Sequence, residues 1–421
     1  MINTQKMNIE KYSFGTGDRF GMEGEAQLAA VVEMNRLGVP VVPVWNKSYR
    51  EHKIVRTDHS SVKKEADRAV NAVGWGKSYY TDADHIGLDI VDEFIDYSNF
   101  FTIDVAGYIS RPVSGQTRED FINRYSSYTG KLKIPGLKGY FEVTKPYLAS
   151  VADKYLTAIR EVGKIYNYIR SKKGEGNFVP EVSMDETEDA QTPLDLFFIL
   201  AELKREGVEV QTIAPKFTGL FAKGIDYIGD RDLFAKEFEQ DVAVVRYAVE
   251  HLELPRNLKI SVHSGSDKFS LYPVINAIVE KYNAGIHVKT AGTTWLEEVN
   301  GLAEAGGEGL AIAKKIYIHS LNRFEELTAP YESVLSINKK NLPGESVVNA
   351  WGSREYVAAL QHDQQCSDYN PDLRQLIHVG YKVAVEMGSE FTDALREYRS
   401  IISERVTYNL LERHLKKLFP V

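Results

Sequence analysis

Short apolar runs rich in β-branched and aromatic residues recur along the chain, and most are followed by apolar residues at helical spacing. The runs are Tyr12–Arg19, Val39–Trp45, Tyr79–His85, Phe100–Val105, Phe178–Met184, Val208–Phe217, Lys259–Val262 and Ile286–Val288. Helical patterns fall between them at Glu23–Leu37, Ser61–Val73, Asp89–Tyr97, Pro146–Arg170, Leu194–Lys204, Asp232–His251 and Tyr272–Tyr282. Gly38 and Gly207 stop two of these helices. Strand–helix alternation over roughly 290 residues predicts a (β/α)8 TIM barrel, since parallel strands need helical crossovers. Residues 1–300 form that barrel, with a Gly/Ser/Tyr-rich excursion around 106–141 expected to be an irregular lid or subunit-contact loop. Residues 301–421 read as helical only, a C-terminal appendage packed on the barrel, with two helices expected in Asp372–Val421.

Composition narrows the function classes. The 421 residues carry a formal charge of −8 and no long Lys/Arg block, which argues against a nucleic-acid partner. The single Cys366 excludes an internal disulfide framework and fits a reducing compartment. No apolar run reaches membrane-spanning length and the first residues lack a signal-peptide core, so a cytoplasmic protein free of the membrane is expected. A homo-oligomer is compatible with this reading.

The chemistry-bearing residues gather where strands end. His263 and His287 close neighbouring strands and Glu186 lies just beyond the fifth, a set able to hold a divalent transition metal with open positions. Each is equally readable as a satisfied polar group of a loop or core. Asp82 and Asp84 share one strand face, as metal ligand, general acid/base or helix cap, while His85 points the other way or sits in the turn. Lys289 shares a face with His287, and a buried lysine either binds an anion or neutralises a carboxylate. Asp267 and Lys268 fall in the next loop, where a solvated pair is the plain alternative. Gly15-Thr-Gly-Asp-Arg-Phe-Gly21 superficially matches a dinucleotide loop, but its preceding strand is too polar and Asp18 would repel a pyrophosphate. The alternative places Asp18 and Arg19 directly on substrate. No GxxxxGK[ST], HExxH or GxSxG occurs.

Eight stretches at these strand ends also resemble a known family. SFGTGDR, TDADH, FFTID, VSMDETE, KGIDYIGD, HSGSDKFSLYP, HVKTAGT and RQLIHV match the tagaturonate/fructuronate epimerases in the same order, from residue 13 to about 383. The resemblance implies a metal-dependent TIM-barrel isomerase acting on a small sugar acid, inverting C4 of D-tagaturonate to give D-fructuronate in hexuronate catabolism, with slower action on tagatose and fructose. Carried onto this chain, it implies Glu186, His263 and His287 as ligands of a divalent ion (Zn, Mn, Co or Ni). Asp84 or Asp267 would move protons, and Lys289 would stabilise developing charge. Asp18, Arg19, Lys216, Arg374 and His378 would bind substrate, the basic ones at its carboxylate. The C4–H is not acidified by the ketone, so retro-aldol cleavage and re-addition is the expected route, ahead of transient oxidation by nicotinamide. Another metal-dependent sugar isomerase or aldolase is the competing enzyme reading, and a sugar-acid binding protein the non-enzymatic one.

Overall fold

A computed structural model describes residues 6–419 apart from Glu188 and Ala291. Its strands are β1 (Tyr12–Gly17), β2 (Val41–Ser48), β3 (Tyr80–Ile86), β4 (Phe100–Asp104), β5 (Gly130–Leu132), β6 (Phe141–Val143), β7 (Val179–Ser183), β8 (Thr212–Ala214), β9 (Lys259–His263) and β10 (Ile286–Lys289). All but β5 and β6 close into one parallel barrel, in the order β1-β2-β3-β4-β7-β8-β9-β10 and back to β1. Together with the surrounding helices this is the (β/α)8 barrel that the alternating pattern predicts.

Two apolar cores explain its stability. The larger lies between the barrel wall and the helices, where outward-facing Phe14, Trp45, Phe101, Val182 and Val288 meet residues such as Leu28, Ile159 and Leu200. The smaller lies inside the barrel, at its lower end. Val42, Val44, Tyr80, Phe100 and Val179 pack there with Ile9, and Met7 leans on them. The backbone N–H of Ile9 donates to Gln211 Oε1 at 2.9 Å, pinning this plug. Above the plug the inward positions turn polar, so the barrel is open for chemistry only at its C-terminal mouth.

The expected irregular excursion is partly regular. Ser114 caps the helix Gly115–Arg124, which buries Phe121 and Ile122, and β5 and β6 pair as an antiparallel hairpin. After helix Thr293–Ala305 the chain is helical, but residues 372–419 form a succession of short helices rather than two. Glycines 380 and 388 interrupt them. Within the described residues no helix is long and apolar enough to cross a membrane.

An acid cluster beside the first strand sets the pH response of the fold. Asp18 accepts N–H bonds from Phe20, Gly21, Met22 and Glu23 at 2.6–2.9 Å, so these four successive amides are spent on a carboxylate rather than offered to a phosphate. Glu23, Glu65 and Glu298 are buried around it. Burial, reinforced by these neighbouring carboxylates, raises Glu23 to about 7 and pushes Glu65 and Glu298 well above the usual range. These groups are protonated in the fold and ionised in the unfolded chain above the ordinary glutamate value of 4.5, so stability falls as pH rises from there through 7. Glu298→Gln is expected to raise Tm by about 2–4 °C near pH 8 and to change little near pH 4.5. Thermal melts at the two pH values check it; a gain of equal size at both would disprove the linkage.

Candidate active site

Inside the mouth, Lys289 is the hub. Its ammonium donates to Asp82 Oδ2, Asp84 Oδ1 and Thr102 Oγ1, each at 2.8 Å, and lies 3.4 Å from Glu181 Oε1. Strand register brings these together, because Lys289 sits level with Gly15 and His263, and alternation turns Asp82, Asp84 and Glu181 inward. A β-carbon on Gly15 would lie 3.0 Å from the Lys289 side chain, so glycine makes room for it. Of the two sequence alternatives for Lys289, the structure shows the neutralising one. Burial would lower its pKa, but Asp82 and Asp84 hold it well above the usual lysine value. Burial opposes ionisation of Glu181 as well, and Lys289 nevertheless keeps it well below the carboxylate range.

Two imidazoles and a carboxylate stand at the rim. His85, Asp185 and His263 bring ligand atoms within 4.8 Å of one another, and His85, Asp104 and Glu186 form a second such group. Each histidine is steadied from behind. His263 Nε2 meets Glu181 Oε1 at 2.8 Å, and His85 Nδ1 meets Asp104 Oδ2 at 2.9 Å. His263 Nδ1 lies 3.2 Å from Asp185 Oδ2 without hydrogen-bond geometry, as two ligands of one centre would. Carboxylates behind ligating imidazoles are the usual supporting arrangement of metal sites. Burial lowers the affinity of both histidines for a proton, but Asp84 and Asp104 raise His85 to about 10, and Asp185 raises His263 to about 9. A pocket that stabilises buried positive charge this strongly, with nitrogen and oxygen donors, fits a divalent cation.

The structure distributes the sequence candidates unevenly. Asp84, Lys289 and His263 converge, and Glu186 belongs to the second rim group on an exposed loop. His287 lies deeper, level with Ser13 and Ser261, and its Nδ1 bonds Ser13 Oγ at 2.9 Å. Burial lowers its pKa to about 3, and it joins neither rim group. Asp267 and Lys268 are not solvated but fully buried. Asp267 binds Arg374 Nη2 at 2.7 Å, His362 Nδ1 at 3.1 Å and Thr293 Oγ1 at 2.9 Å. Arg374 spends its other donors on the carbonyls of Gly224 and Leu360. That pair is an internal brace, and neither member joins a metal-capable group at the rim. Arg19 pairs with Glu51 at 2.9 Å and stacks over Tyr381. Lys216 is half-buried in the loop after β8, and Asp18 is the amide cap described above.

Asp104 is not singled out by the sequence reading, and three more residues of the site escape it for identifiable reasons. Strand alternation sends His85 outward or into a turn. The β3–β4 register slips between Ala83 and Ile86, however, and His85 takes a left-handed φ of 54°, so a bulge re-aims it toward Asp104 and His263. Glu181 sits in the middle of an apolar strand, and that anomaly is its only signal. Asp185 precedes Glu186 by one residue, a choice that spacing cannot make.

Known proteins share this architecture. The family profile described as UxaE, tagaturonate epimerase, matches residues 1–419. The chain belongs to the tagaturonate epimerase family. A tagaturonate/fructuronate epimerase of Thermotoga maritima is 30% identical, over 96% of this chain and 79% of that protein. A two-glycerol complex of fructuronate-tagaturonate epimerase UxaE from Cohnella laeviribosi superposes with a TM-score of 0.81 at 25% identity, covering 98% of this chain and 83% of that one. The native form of the same enzyme gives 0.79 at 25% identity, over 98% and 82% of the two chains. As a tagaturonate epimerase family member the protein is a carbohydrate isomerase. The C-terminal mouth of its barrel is the end bearing His85, Asp185 and His263. A separate cavity of about 730 Å3, lined by Arg246, Glu250, Arg256 and Gly285, opens at the opposite end of β9 and β10 and offers no such set.

Proposed function

We propose that this protein interconverts D-tagaturonate and D-fructuronate by inversion at C4, in hexuronate catabolism, with a divalent ion at the barrel mouth and slower action on tagatose and fructose. The single observation that carries the metal-dependent reading is the His85–Asp185–His263 constellation with its backing carboxylates. His85, Asp185 and His263 would hold the ion, with Asp104 or Glu186 able to complete the set. Bound there, a divalent cation supplies Lewis acidity toward the ketone oxygen and the hydroxyl beside it.

The protein's own groups perform the rest. Asp84 is kept ionised by Lys289 and His85 in spite of burial, and so can accept the C4 hydroxyl proton. Cleavage of C3–C4 then leaves an aldehyde at C4 and an enediolate across C2 and C3. Lys289, held by Asp82 and Asp84, provides fixed positive charge beside the developing anion. Rotation of the aldehyde presents its other face, re-addition closes the bond, and Asp84 returns the proton to the new C4 oxygen. Atoms and charge balance without an outside reagent. The amide cap at Asp18 disfavours the nicotinamide alternative, because the four successive N–H groups of Phe20 to Glu23 are already bound to a carboxylate and so are not offered to a pyrophosphate.

Metal-stripped protein given D-fructuronate, with and without added Zn, Mn, Co or Ni, tests the proposal by NMR. Tagaturonate is expected only with metal. Conversion at full rate in the presence of a chelator would sink the metal-dependent route, and release of three-carbon fragments would favour an aldolase.

A further inference from the structure

The loops at the mouth surround one neutral imidazole with positive charge. His378 is buried, and neither ring nitrogen has a hydrogen-bond partner among the described residues. A β-carbon on Gly292 would fall 2.1 Å from its Nε2, and one on Gly224 would fall 3.2 Å from its Cβ, so two glycine-bearing loops make the space it fills. Arg19, Lys223, Arg374 and Lys268 all bear on it electrostatically and, after burial, keep it unprotonated. Such an excess of positive charge next to an unpartnered donor is the setting in which proteins bind anions.

Most of these cations are already committed. Arg374 is spent on Asp267 and two carbonyls. Lys268 donates to Ala222 O, Ile225 O, Ser266 Oγ and Asp267 O at 2.8–3.3 Å. Arg19 gives Nε to Glu51 and Nη1 to the His378 carbonyl, with Nη2 unpaired among the described residues. Lys223 differs. Its ammonium makes no ion pair or hydrogen bond among the described residues, touching only the Tyr331 ring face at 5.7 Å, although it is half-buried. Its backbone N–H is fixed to Val334 O at 2.9 Å, so the residue is anchored in the loop after β8. Of the carboxylates around it Glu51, the ion-pair partner of Arg19, bears on it most, and Glu186, which belongs to the rim group with His85 and Asp104, bears on it next.

We infer that Lys223 is the seat of the substrate carboxylate, with Arg19 Nη2 and the His378 ring beside it, and so the residue that sets preference for uronates over neutral ketoses. This rests on the proposed epimerase reading. The uncommitted ammonium meets the carboxylate end of the sugar acid while the ketone end faces the His85–His263 rim. Removing the ammonium deletes a charge-assisted hydrogen bond to that carboxylate and weakens binding by about 30-fold.

The test compares wild type, Lys223→Met and Lys223→Arg on D-fructuronate and on neutral D-fructose. In Lys223→Met the KM for the uronate is expected to rise about 30-fold with kcat within about 3-fold, fructose kinetics to stay put, and Lys223→Arg to recover most of the loss. An unchanged uronate KM, or equal losses on both sugars, overturns the inference. Competitive binding by D-gluconate and its neutral counterpart D-glucitol, read by calorimetry, separates the two levels. If wild type turns over no fructuronate, the epimerase reading fails, yet selective loss of gluconate binding in Lys223→Met still supports the anion seat. Equal gluconate affinity in both proteins removes it.

Discussion

His263→Ala is expected to lower kcat/KM for D-fructuronate by about 10³-fold and to abolish stoichiometric binding of a divalent metal. The imidazole stands between two carboxylates, Glu181 at 2.8 Å and Asp185 at 3.2 Å, so its loss removes a ligand and frees Glu181 from its partner. Metal content measured on the purified variant, alongside turnover, separates this from general damage. His287→Ala is the control. Its ring is bonded to Ser13 below the rim, so metal content should survive there even if stability suffers. Loss of metal in the His287 variant with retention in the His263 variant would reverse the assignment.

The second large effect is on stability. Lys289→Met leaves the buried Asp82, Asp84 and Glu181 without their shared ammonium, which costs about 3–5 kcal/mol. The sign with pH follows from the two states. In wild type Glu181 and Asp84 are held below their usual range, so their contribution is present above the unfolded carboxylate value and is lost as pH falls. In the variant the same groups are buried without a cation, their pKa values rise, and stability falls as pH rises. Denaturant melts near pH 8 and near pH 5 should therefore show the gap between the two proteins narrowing at the acid end. A constant gap would mean that packing, not charge, is what Lys289 supplies.

How far the sequence foretells this site depends on backbone regularity. Where strands keep strict alternation, as for Asp82, Asp84 and Lys289, a two-residue period is enough to place side chains together. His85 defeats the same rule because a bulge breaks the period at that residue. His287 shows a different limit. It lies near the end of its strand in sequence, but β10 extends two residues further, so it sits about 7 Å below the rim. Asp267 and Arg374 lie 107 positions apart in the chain. Each looks able to meet substrate, and nothing short of three-dimensional structure reveals that they satisfy each other.

The plug of Ile9, Val42, Val44, Tyr80, Phe100 and Val179 gives the barrel a floor. A retro-aldol step makes two small diffusible molecules from one, and an enzyme that lets them part is a lyase. On the proposed retro-aldol route, with the lower end stoppered by hydrocarbon, the aldehyde and its partner would share one exit, at the rim. Reunion then competes with escape through a single guarded door. By this reasoning the difference between cutting a sugar and merely turning one of its carbons over lies partly in side chains that never touch it.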